Sequence, residues 1–159
     1  MAFLKNTKKI SLPVNKIVVR IGTKGLASEE EDVKVLNDLR TFELTVEYGT
    51  EDYHTFESGE FQYSDVITKA VGMSWTQNRI KGDEVSDYLE STMFGGLEDA
   101  YTAIEFTLPG GYGMRGAFLL KPGAIGGDAQ NLLTQSFDAS LSGKPEIIIP
   151  GTDESGEEV

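Results

Sequence analysis

The chain has 159 residues, 39% of them hydrophobic and 25% charged, which suffices for one domain with a sizeable core. Its 26 acidic residues outweigh 14 Lys and Arg, leaving a net charge of −12; this excludes a general nucleic-acid binder, which needs a basic patch to neutralise phosphates. There is no cysteine, so disulfides and thiolate metal sites are excluded too.

No stretch approaches the roughly 18 apolar residues of a membrane span, and the N-terminal MAFLKNTKK lacks an apolar run of signal-peptide length. The 18 glycines favour a turn-rich, mainly β design. Residues 1–14 read as an arm, made locally positive by Lys5, Lys8 and Lys9 and ended by Pro13. The β-branched run NKIVVRIG, 15–22, predicts a strand. In 23–38, Ser28 followed by Glu29 to Asp32 suits the cap and first turn of a short helix; the other reading is a solvated loop.

TFELTVEY, 41–48, alternates cleanly: Phe42, Leu44, Val46 and Tyr48 share one face, and Thr41, Glu43, Thr45 and Glu47 the other. The acidic, aromatic stretch 49–62 is expected to be a hairpin or a protruding loop. A long strand is predicted over 66–80, with Val71, Met73 and Trp75 as its core stripe. Asp83 is placed to cap a helix over 84–94, whose apolar residues Val85, Tyr88, Leu89 and Phe94 recur at near-helical spacing; Gly95-Gly96 ends it. Strands follow over 100–108 and 112–120, separated by a Pro109-Gly110-Gly111 turn. Lys121-Pro122-Gly123 reads as a turn closing the second of these, and GAIGGDAQ as a loop.

LLTQSFDASL, 132–141, alternates again. Thr134, Ser136, Asp138, Ser140 and Ser142 form a small polar face free of Lys and Arg, while Leu133, Phe137, Ala139 and Leu141 suit a core. A turn and the short strand EIII follow, then the acidic tail 151–159, whose composition is that of a disordered segment. The expectation is one mostly antiparallel β domain over 15–150, a sandwich or open barrel of seven or eight strands with one flanking α-helix.

Little in the chain points to chemistry. His54 is the single histidine, which makes a poor metal site, and no G-x-S-x-G elbow accompanies it. The acidic runs lack the spacing of a calcium loop, and the glycine-rich turns lack the residues of a phosphate loop. Neither a cofactor nor a metal is expected, and an enzyme is not.

The alternating strand 41–48, the long strand bearing Trp75, the KGDEVSDYLES helix entry, the Pro109-Gly110-Gly111 hairpin and above all the SFDASLSGKPE stretch resemble the major tail proteins of long-tailed bacteriophages, over about residues 40–150. The resemblance implies a non-enzymatic virion component, assembled in the host cytoplasm. Its copies would form six-fold rings stacked into a hollow tube around a tape-measure protein. Tip, initiator and terminator proteins would bound the tube, and genomic DNA would pass through. Related rings occur in contractile injection systems and type VI secretion. It further implies inter-ring contacts from the N-terminal arm and a long loop, here residues 1–14 and either 23–38 or 49–62, with Phe3, Leu4, Lys5, Tyr53 and Phe56 as candidates. Six copies at −12 each would carry −72, and an acidic, hydroxyl-lined bore would repel the DNA backbone and let it slide. The candidate bore residues are Glu43, Glu47, Thr134, Ser136, Asp138 and Ser140; the opposing reading puts their face on the outside of a monomeric sandwich. The rival functions are a head-decoration or tail-completion protein, a carbohydrate-binding β-sandwich stacking sugars on Trp75 and Tyr112, and a hydrolase using His54.

Overall fold

A computed structural model describes residues 11–151. Arm residues Phe3, Leu4 and Lys5, and tail residues 152–159, lie outside the described residues. The described residues form eight strands, β1 Val18–Gly22, β2 Val33–Val35, β3 Leu39–Tyr53, β4 Tyr63–Asn78, β5 Tyr101–Thr107, β6 Gly113–Gly126, β7 Thr134–Leu141 and β8 Glu146–Ile148, with one α-helix, α1 Glu84–Phe94, between β4 and β5. All pairings are antiparallel. The strands make a single sheet in the order β2-β1-β5-β6-β7-β4-β3, with β8 beside β6, and the sheet does not close.

The alternation in the sequence sets the two faces. Val19 and Ile21 of β1, Ile104 and Phe106 of β5, Phe118 and Leu120 of β6, Phe137 and Ala139 of β7, and Met73 and Trp75 of β4 are all buried on one face. The sheet curls so that this face closes on itself: Phe42 of β3 meets Phe106 of β5, strands far apart in the order, with ring centroids 6.3 Å apart. Trp75 and Phe137, directly opposed across β4 and β7, stack at 5.8 Å. The expected Val71-Met73-Trp75 stripe is therefore core.

Helix α1 covers one end of this core. Its bounds are those predicted, with the Asp83 carboxylate accepting the Ser86 backbone N–H. Val85 and Leu89 are buried. Beside them, the buried amides of Gln77 and Gln135 donate to the Ser86 hydroxyl at 3.3 Å and the Ser86 carbonyl at 3.5 Å. Arg79, at the end of β4, grips the helix through Asp87 and Glu90, both at 2.6 Å.

Several expectations are corrected. Phe94 was expected on the apolar face of α1 but is exposed, because it lies in the last turn beyond the sheet. Leu133 is exposed rather than core, since β7 begins one residue later. Ser28 caps no α-helix; its hydroxyl donates to Gly25 O at 2.7 Å, and the acidic run makes only a 3-10 turn over Glu30–Asp32 before β2. The Lys121-Pro122-Gly123 segment does not end β6, which runs on to Gly126 with an irregularity between Pro122 and Ile125. Proline is tolerated there because β5 pairs β6 no further than Leu119, so the missing N–H sits on an unpaired edge.

Candidate functional site

Two features stand out as surfaces built for contact. One is the outward face of the curled sheet. In register across it lie Glu43 of β3, Ser74 of β4, Asp138 of β7 and Lys121 of β6, then Thr41, Thr76 and Ser136 one row on, and Thr45, Gly72 and Ser140 on the other side. Ser74 Oγ donates to Asp138 Oδ1 at 2.6 Å, and the Thr76 and Ser136 hydroxyls share a bond of 3.1 Å. The candidate bore residues Glu43, Glu47, Ser136, Asp138, Ser140 and Thr134 are thus brought onto one continuous face. Sequence reasoning missed Ser74 and Thr76, which join the two polar strands. It also missed Lys121 opposite Asp138, and, farther along the same outward face, Arg115 and Arg20 on either side of Glu105, so a face read as free of cations carries three.

The second feature is a projecting hairpin. Only Gly72 to Asn78 of β4 pair with β7, while β3 and β4 stay paired out to Tyr53 and Tyr63. Beyond Gly72 the ladder has, among the described residues, no further strand on either side, and every residue from Phe61 to Ala70 is exposed. The 49–62 stretch is therefore the outer part and tip of this hairpin, whereas 23–38 is held against the sheet edge by β2, which pairs with β1.

Register gives the hairpin two unlike faces. Glu47, Glu51 and Asp65 extend the polar face, with Glu51 directly opposite Asp65. Val46, Tyr48, Lys69 and Val66 continue the core face beyond the edge of the core, where Val46, Tyr48 and Val66 are exposed. Lys69 covers the Tyr48 ring with its ammonium 5.7 Å from the centroid. Near the tip, Tyr53 stacks on Tyr63 at 5.5 Å, and the Tyr53 hydroxyl bonds the Asp65 carboxylate, whose hydrogen bond and charge raise the phenol above its ordinary pKa. Phe56 and Phe61 beyond it are exposed. An isolated two-stranded hairpin is marginal in water, and open ladder edges template pairing with other chains, so this element is shaped to be covered.

No family model and no curated protein matches the sequence. A chain in the tail of an empty gene transfer agent particle, of C6 symmetry, has the same fold with a TM-score of 0.67 and 11% identity, over 86% of this chain and 98% of that one. A chain of the virion of a native gene transfer agent particle matches with a TM-score of 0.65 at 10% identity, over 86% and 98%. A chain of the anti-feeding prophage baseplate, six-fold symmetrised, matches with a TM-score of 0.56 at 6% identity, over 89% and 96%. The chain shares its fold with these tail, virion and baseplate chains.

On this fold the remaining candidates sort simply. Tyr53 and Phe56 are at the hairpin tip, the part farthest from the core. His54 lies there too and is exposed. Trp75 is 1% exposed and cannot stack on a sugar, which removes half of the carbohydrate-binding argument; Tyr112 is exposed. Among the described residues, no group of three or more His, Asp or Glu is placed to hold a metal ion.

Proposed function

We propose that this chain is the structural subunit of a bacteriophage-type tail tube. Its copies form six-membered rings that stack around a tape-measure protein, between tip or initiator and terminator proteins, and the tube passes genomic DNA without binding it. The observation that carries this reading is the shared fold with chains of six-fold tail assemblies, each covered over nearly its whole length. The projecting hairpin and open sheet edges supply contact surface that a monomer leaves uncovered. Of the two long segments, 49–62 is the better stacking loop, because it stands away from the body and carries exposed Phe56 and Phe61 at its tip.

The polar face is the natural wall of the bore. Its short hydroxyls and carboxylates offer DNA phosphates repulsion and few donors to grip. Lys121 beside Asp138, and Arg20 and Arg115 each paired with Glu105, soften the field locally without creating a basic patch. Negative-stain microscopy of the concentrated full chain tests the proposal. Rings or hollow tubes of uniform bore are expected, and fewer of them for a chain lacking residues 1–14. Particles that stack without a central hole would overturn it in favour of a decoration or completion protein.

A further inference from the structure

The strand registers fix two ends of the molecule. Gly113, Thr107 and Val18 lie at one end of their strands, and the hairpin projects beyond the β4–β7 ladder in the same direction. The arm leaves from that end as well, since Leu12 sits against Gly110. At the other end, beside Tyr101, a cleft of about 490 Å³ opens between the last turns of α1 and the turn at Lys24 to Leu26.

This cleft sets a small apolar patch within a polar, acidic lining. Leu26, Tyr88 and Tyr101 line it, with Glu98 and Asp99 on its wall. Phe94 and Leu97, next to it in the chain, are 81% and 90% exposed. The last turn of α1 holds no basic residue, so nothing from that turn answers the negative end of the helix dipole. The ammonium of Lys24, the single basic group in the lining, is engaged by Asp32 at 3.3 Å.

We propose that this cleft receives residues 1–10 of a second copy of the chain, with Phe3 and Leu4 on its apolar wall and Lys5, Lys8 and Lys9 against Glu98, Asp99 and the helix end. This rests on the tube reading and names the acceptor of its arm. Charge selects the occupant. The arm carries +3, so the rest of the chain carries −15 of the net −12. The other projecting element is the wrong sign: residues 49–65 contain five acids and no Lys or Arg. Geometry selects a second copy over the same one. Residues 101–107 alone span about 20 Å, while the seven residues from 4 to 11 reach at most about 25 Å, leaving almost no slack for a path around the sheet. Head-to-tail stacking puts one copy's arm end against the next copy's cleft, a heterologous contact that repeats without closing.

The test uses full-length chain carrying Lys5→Glu, Lys8→Glu and Lys9→Glu, whose own arm does not compete, titrated with a synthetic peptide of residues 1–14 and followed by amide NMR. Shifts at Leu26, Ser91 and Tyr101 are expected, with affinity falling roughly tenfold on adding Glu98→Lys. No shift up to millimolar peptide, or shifts confined to the hairpin or the polar face, would overturn the assignment. Because the chain has no cysteine, Leu4→Cys chains mixed with Leu97→Cys chains should crosslink to each other; closure only within a single doubly substituted chain would rule out the second copy. Tubes seen by microscopy with a silent peptide would sink the acceptor and spare the tube, and peptide binding at the cleft by a chain forming no ring would do the reverse.

Discussion

Phe137 and Ser136 are neighbours in sequence with opposite burdens. The Phe137 ring is buried against Trp75, and truncating it to Ala should cost about 3–5 kcal/mol, read as a fall in urea midpoint. Ser136→Ala, on the outward face, should stay within about 0.5 kcal/mol. Both roles were legible from the period-2 alternation of 133–141. What the local pattern could not supply was the partner of each residue. Ser74 and Lys121 enter the polar face through pairings with Asp138 that span 64 and 17 positions, and no property of a single strand encodes them. Near the hairpin tip, Tyr53 offers a local probe. Asp65 raises its phenol pKa, so the contact is intact below the ordinary value of about 10 and is lost as pH rises through the raised one. In ring-carbon NMR, Asp65→Asn should move the Tyr53 titration back down toward that ordinary value; an unchanged midpoint would show that the hydroxyl and carboxylate do not meet in solution.

Local chemistry decides how readable each element is. Helix α1 was legible because its cap, its apolar spacing and its terminal glycines all act within a dozen residues. Gly95 is not in a left-handed turn; a Cβ on it would only press the Asp99 carboxylate, 2.6 Å away, to turn aside. Asp83→Ala should remove the N-cap bond and cost about 1 kcal/mol, visible as a lower melting temperature with the fold retained. Strand β6 was legible only up to Leu120, because Lys121, Pro122 and Gly123 signal a turn locally while pairing with β7 extends the strand beyond them. The outer hairpin was half legible for a related reason. With neither face buried, and a register shift near Ile67, burial imposes no regular alternation on Tyr63 to Ala70. Few packed side chains protect its backbone, so amides from Gly49 to Tyr53 should exchange with deuterium orders of magnitude faster than those of Ile104 or Phe118 in the free chain. Assembly should slow the hairpin amides selectively. Uniform protection before assembly would mean that the hairpin is stable without a partner.

For the whole molecule, fold and net charge acquire meaning only together. The fold presents a polar sheet face, and the charge of −12 sets how that face treats a polyanion. If the face lines a bore, Thr45, exposed on it and central to its rows, should carry a label into the bore. Thr45→Cys gives the cysteine-free chain a unique thiol, and maleimide-gold should then appear along the tube axis; gold on the outer wall would place the face outside. The same geometry predicts a reversal of function by charge. Glu43 and Asp138 stand two strands apart in one row, bridged by Ser74 and followed by Lys121. Reversing both to Lys changes each chain from −12 to −8 and turns that row basic. Around a ring the row would repeat six times and make a cationic collar at one level of the bore. Such tubes should retain duplex DNA at low ionic strength and release it steeply as salt rises, because neutralised phosphates recover their counterions. Wild-type tubes should retain none at either salt. Equal retention by both would mean that the row never meets the DNA, and the lane for passage would have to be sought on another surface of the subunit.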